Sequence, residues 1–346
     1  MRVESARAAA VDWVLRHASP EPWFRGAYFG GSTVGLPPDA ELPPTSDLDV
    51  FVVTAGADPP SAVGKIVYRG TLLEVSHLPE HLLGSAEEVL THYHLAASLR
   101  ADSLIADPTG RLRLLQADVS RHFAEEVWVR RRCEHARQRS AGRLAAMDAS
   151  APWHEQVTSW LFGTGVTTHV LLVAALRNPT VRLRYRRAAE VLLTYGHADL
   201  YPELLRLLGC ADISPERVEQ HIAALARTFD AAAAACRTPY RFRSDISPEA
   251  RPIAIEGSRD LVQSGWHREA VFWIAATFAR CQAILTVDAP DEQRALAPAF
   301  DAVLADLGIL STGDLRARAE VATRFLPRLW ETAEAILSAN PEIVRA

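Results

Sequence analysis

Tyr28-Phe29-Gly30-Gly31-Ser32-Thr33, a proline-rich insert, then Ser46-Asp47-Leu48-Asp49-Val50-Phe51: this stretch decides the fold of the N-terminal part of the chain. Residues 26–29 predict a short strand, and Gly30-Gly31-Ser32 a tight turn at its end. Leu48–Thr54 predicts a second strand. Residues two apart on a strand project to one face, so Asp47 and Asp49 are expected side by side. Adjacent carboxylates repel unless a cation lies between them, and a hard divalent cation prefers oxygen ligands. A glycine-rich turn beside them offers backbone N–H groups to a phosphate. The combination points to chemistry on a nucleotide. Pro37, Pro38, Pro43 and Pro44 exclude a long helix from the insert.

On the N-terminal side, residues 5–17 have helical periodicity, and Pro20 and Pro22 end that helix. On the C-terminal side comes a turn cluster at 56–61. Residues 65–68, Arg69-Gly70 and 71–78 then read as a hairpin. Its second arm carries Glu74 among Leu72, Leu73 and Val75. A lone buried carboxylate is costly or forced neutral, and a bound cation removes the problem. A helix over 85–99, a short apolar run at 103–106 and a turn at 107–110 follow.

From Arg111 onward the pattern is helical stripes alone: 112–147, 152–176, 181–195, 200–208, 215–237, 248–265 (broken near Pro252 or Gly257), 267–286, 291–307 and 312–338. Ser214-Pro215, Ser247-Pro248 and Thr312 are placed as helix starts. The expected class is α+β. Residues 1–110 would form a small mixed β-sheet domain flanked by helices, and residues 111–346 a larger all-α domain.

Composition narrows the function. The chain of 346 residues is 49% hydrophobic and 23% charged, as in ordinary globular domains. A formal net charge of −5 argues against nucleic acid bound through bulk positive charge. Lys65 is the only lysine among 37 basic side chains, which reads as compositional bias without functional weight. Cys133, Cys210, Cys236 and Cys281 are too widely spaced for a zinc ribbon and read as buried free thiols. Glu4 and Asp12 interrupt any signal-peptide pattern, and the apolar run 169–176 is too short to span a membrane. A cytoplasmic protein with no membrane partner is expected.

Gly30-Gly31-Ser32, Asp47-x-Asp49 heading an apolar strand, and Glu74 on a later strand together resemble the polymerase-beta-like nucleotidyltransferase superfamily. The likeness covers the first third of the chain. The helical part resembles, in architecture only, the antibiotic nucleotidyltransferases, the aminoglycoside adenylyltransferases among them. The proline-rich spacer departs from the helix often found there in the family.

The resemblance implies that Asp47, Asp49 and Glu74 hold one or two Mg²⁺ ions and carry catalysis. It implies that Gly30, Gly31 and Ser32 bind the β,γ-phosphates of ATP or another NTP. A small-molecule hydroxyl, aminoglycoside-like by analogy, would attack the α-phosphorus and release pyrophosphate. In relatives the helical domain closes on the nucleotide and supplies a basic residue to the triphosphate. Arg182, Arg184, Arg186 and Arg187 are candidates, on a helix that Thr180 would cap. Glu74, Glu155, Glu190 and Glu269 are candidates for the general base.

Plainer readings stand beside these. Asp-x-Asp alone is most often a solvated turn, Glu74 could face outward on a two-sided strand, and the arginines could form a solvated helix face. The stretch from Trp266 to Trp273 suits either an acceptor-binding wall or a packed helix start, and His92-Tyr93-His94 is taken as structural. Two other functions use the same motif: protein AMPylation of toxin–antitoxin type, and nucleotide binding without chemistry. The three acids count against the second, because clustered carboxylates destabilise a fold unless a metal offsets them.

Overall fold

A computed structural model describes residues 1–56 and 63–345. The expected turn cluster at 56–61 therefore lies, apart from Gly56, outside the described residues; Gly56 itself has a left-handed φ of 80°. The described chain divides into two compact units. One comprises 1–132, 178–180 and 341–346, and the other 133–177 and 181–340.

In the first unit, α1 (Val3–Trp13) buries Val3, Ala6, Ala10 and Trp13 at helical spacing and runs on into a π-turn over Val14–Ala18. Five strands follow: β1 (Phe24–Phe29), β2 (Leu48–Thr54), β3 (Gly64–Tyr68), β4 (Thr71–Pro79) and β5 (Leu104–Ala106). They form one mixed sheet in the order β3-β4-β2-β1-β5. β2 and β4 are parallel, and the other neighbouring pairs are antiparallel.

Alternation along the strands gives the sheet two faces. Leu48, Val50 and Val52 of β2 and Leu73 and Val75 of β4 point to one, where they pack with Ala10, Trp13 and Val14. Phe51 and Val53 point to the other. There they meet Tyr28 and the helices α2 (Ala86–Thr91), α3 (Tyr93–Leu99) and α4 (Arg111–His122), through Leu90, Leu99, Leu112, Leu115 and Val119. A fully buried aliphatic side chain stabilises the fold by about 1.5–3 kcal/mol, so these two layers hold the strands in register.

The pattern change at residue 110 does not coincide with the division between units. The division falls between Arg132 and Cys133, inside α5 (Glu126–Ala145), because α4 packs on the sheet. Three expected helices are also interrupted, 152–176 among them, at Val166. His92 breaks 85–99: it is extended (φ −89°, ψ 110°), and its Nδ1 accepts the Leu95 N–H at 3.4 Å, capping α3. The stripe 112–147 breaks at 123–125, where the buried Arg132 guanidinium packs 4.2 Å from the Phe123 ring.

The second unit holds only helices among its described residues. They are the rest of α5, α6 (Trp153–Gly165), α7 (Thr167–Ala174), α8 (Arg184–Thr194), α9 (Tyr201–Leu208), α10 (Pro215–Ala235), α11 (Arg251–Ala254), α12 (Glu256–Gln263), α13 (His267–Asp288), α14 (Pro290–Asp306) and α15 (Thr312–Ala339). Ser214 and Ser311 cap α10 and α15 with their hydroxyls. α13 is buried almost all round from Glu269 to Leu285, which makes it the core helix of the unit. By length and composition Trp153–Ala174 and His267–Asp288 could each cross a membrane, unlike any unbroken apolar run, yet 83% of each apolar window is buried inside the protein. All four cysteines are free, and three are buried.

Candidate active site

The site begins with strand register. Asp49 on β2 lies opposite Glu74 on β4, and Glu74 lies opposite Lys65 on β3. Three ionisable side chains thus form one row across three neighbouring strands. Asp47, one residue before β2, shares the face of Asp49. The Lys65 Nζ donates to Asp47 Oδ2 at 2.9 Å and also to Glu74 Oε2. The Lys65 side chain is only 5% exposed, against 21% for Asp47 and 32% for Glu74.

The acids differ in their share of this cation. Burial works to raise the Asp47 carboxyl, but the charge and hydrogen bond of Lys65, with a hydrogen bond to Glu74, hold it below its usual value. Asp49 is pushed well above the usual range, first by burial and then by the charges of Asp47 and Glu74, which Lys65 only partly offsets. Three carboxylates share one ammonium, and the shortage falls on Asp49.

The glycine turn is built onto Asp49. The Gly30 N–H donates to the Asp49 carbonyl at 3.0 Å. Gly31 has a left-handed φ of 66° and opens a 3₁₀ turn, Gly31–Thr33. A Cβ on Gly31 would lie 1.6 Å from Asp49 Oδ2, and one on Gly30 would lie 2.3 Å from the Phe51 ring. Only glycine permits this approach of turn to carboxylate. Arg7 donates to the Thr33 carbonyl at 2.9 Å and ties the turn to α1, while Ser32 is exposed. The Thr33 hydroxyl is buried without a partner.

The structure therefore brings together Gly30, Gly31, Ser32, Asp47, Asp49 and Glu74. It adds Lys65, whose rarity in the sequence reads only as composition. The signal is present in the hairpin: a two-residue turn that pairs Tyr68 with Thr71 pairs Lys65 with Glu74 three steps back. Among the described residues no group of three His, Cys, Asp or Glu side chains is arranged to hold a metal ion. The Lys65 ammonium lies between two of the three acids. The donor set still fits a hard cation, since it is all carboxylate oxygen and already converges on a positive charge.

The remaining candidates belong to the second unit. α8 begins at Arg184, and Thr180 does not cap it. Arg182 precedes the helix and donates to the Gly257 carbonyl at 3.1 Å. Arg184 is buried, 4.0 Å from the Phe272 ring centroid, with Nε on the Val181 carbonyl. Arg186 and Arg187 pair with Glu190, at 3.1 and 2.7 Å. Glu155 is exposed, whereas Glu269 is buried and accepts from the Tyr201 hydroxyl. Trp273 packs against Arg280, at 4.8 Å, within the helical core. Two hollows are lined by other residues. One of about 430 Å³ is lined by Leu144, Met147, Arg316 and Glu320 in the second unit, and one of about 240 Å³ by Arg25, Glu80 and Arg111 in the first. Neither gathers groups that do chemistry as the row of acids does.

Comparison of the chain with family models, curated proteins and solved structures returns no match.

Proposed function

We propose that the chain is a metal-dependent nucleotidyltransferase. It moves a nucleoside monophosphate, AMP from ATP or its counterpart from another NTP, onto a hydroxyl of a small molecule, with aminoglycoside-like polyols as the acceptor class. One observation carries the reading: the Asp49 carboxylate is pressed against Gly31, in the same row as Glu74. A phosphate held on the turn would lie against this carboxylate, and two anions that close require a cation.

Gly31 and Ser32 would hold the β,γ-phosphates through backbone N–H groups, with the exposed Ser32 hydroxyl available beside them. Asp47, Asp49 and Glu74 would hold Mg²⁺. When bound, Mg²⁺ supplies charge neutralisation at the triphosphate. The acceptor oxygen bonds to the α-phosphorus, the bond to the bridging oxygen breaks, and pyrophosphate leaves. The hydroxyl proton passes to a carboxylate; of the two that Lys65 bridges, Glu74 is the more exposed.

The test is pyrophosphate release from each NTP with Mg²⁺ and panels of aminoglycosides and other polyols. Asp47→Asn and Asp49→Asn are expected to abolish it. Failure of every NTP to bind with Mg²⁺ would sink the proposal. A second reading, nucleotide binding without transfer, gains one observation: Lys65 by itself partly neutralises the acids. Nucleotide binding without turnover on any small or protein acceptor would favour it.

A further inference from the structure

Lys65 stands where the chemistry of the site calls for a cation. We propose that Lys65 is the resident cation of the acid cluster, an inference that rests on the nucleotidyltransferase reading of the same residues. Its ammonium permanently holds the position between Asp47 and Glu74, so the site takes one divalent ion and not a pair.

Geometry supports this first. One Nζ bridges Asp47 Oδ2 and Glu74 Oε2, and the side chain is 5% exposed. The bridge is anchored by the backbone, since β3 sets Lys65 opposite Glu74 with hairpin register. For a divalent ion to take the place between these two oxygens, the ammonium would have to move out of a closed position. Charge supports it next. Three carboxylates and one ammonium leave a formal charge of two negatives, which one divalent ion balances.

Residue type is the third support. The chain uses arginine at every basic position but this one. A guanidinium is a planar fork suited to both oxygens of one carboxylate. An ammonium is a compact point charge with three donors, suited to single oxygens of two carboxylates. The divalent ion is then left to Asp49, which meets the glycine turn, and to the carboxylate oxygens that Lys65 does not hold.

Two measurements test this. Equilibrium dialysis with Mn²⁺ and the non-transferable analogue α,β-methylene-ATP counts the ions held per chain. One is expected in the wild type and two in Lys65→Met, whose uncompensated acids recruit a second. Two ions in the wild type, or one in both proteins, would overturn the inference and leave the proposed function standing. No Mn²⁺ in either would remove both.

The second measurement needs no variant. Lys65 is the chain's sole side-chain amine, so reductive methylation read by peptide mass spectrometry reports on it alone. Equal protection with and without Mn²⁺ is expected. A rise in Lys65 methylation when Mn²⁺ binds would mean that the ion displaces the ammonium, and the inference would fail.

Discussion

Gly31→Ala perturbs the candidate site through a single contact, and its cost can be worked from the geometry. Alanine at φ 66° costs about 1–2 kcal/mol of backbone strain. Its Cβ would also lie 1.6 Å from Asp49 Oδ2 and 2.4 Å from Cγ, so the carboxylate must swing away or the turn must lift. Overpacking of this kind adds about 1–3 kcal/mol. The single substitution should therefore destabilise the first unit by about 2–5 kcal/mol. Asp49→Ala removes both offending atoms and leaves the Asp49 Cβ 3.1 Å away, a contact relieved by a few tenths of an ångström. In that background Gly31→Ala should cost only the backbone part, about 1–2 kcal/mol. The cycle of four proteins is measured without metal, in EDTA at neutral pH. Hydrogen exchange of the β2 and β4 amides is the readout, because two units need not unfold together. A coupling of about 1–3 kcal/mol is expected. Additivity within about 0.5 kcal/mol would mean that turn and carboxylate are not in contact, and the basis for a joint phosphate and metal site would go.

Lys65→Met without metal should destabilise the first unit by about 3 kcal/mol, the low end for a broken buried ion pair because Asp47 and Glu74 keep some solvent. Adding Glu74→Gln should recover part of that loss in the same exchange measurement; no recovery would show that Lys65 is not compensating the acids. Asp49 and Asp47 should give opposite pH dependences. The raised Asp49 value means that metal-free stability falls as pH climbs from the ordinary carboxylate range through that value. Metal-free Asp49→Asn should thus be more stable than the wild type at pH 7, with this charge penalty gone below about pH 3.9. The lowered Asp47 value contributes stability that is present above its unfolded value and lost as pH falls through the folded one. Urea midpoints from pH 3 to 8 would check both, and an Asp49→Asn less stable at pH 7 would contradict the crowding of acids.

Much of the site is legible before folding. Leu48–Thr54 is readable to the residue because apolar side chains alternate between two buried faces. Asp47 and Asp49 share a face by the same period. The hairpin also encodes the pairing of Lys65 with Glu74, although composition draws attention away from the lysine. Helix breaks are less readable. His92 and residues 123–125 interrupt stripes whose periodicity continues across them, and local capping and packing make the breaks. The arginine stretch reads as surface or ligand-facing, yet Arg184 is buried against Phe272 and Phe162, rings far from it in sequence.

By itself the sequence determined which residues carry charge, where strands and helical stripes run, and which neighbours share a face, because those depend on periods of 2 and 3.6 residues along one segment. Only the tertiary structure decided that β2 pairs with β4 in parallel, and so that Asp49 faces Glu74. It also decided that Gly31 rests on the Asp49 carboxylate, and that one ammonium bridges Asp47 and Glu74. Contacts between separate segments are set by how the two buried faces of the sheet pack together, and no local period records that choice.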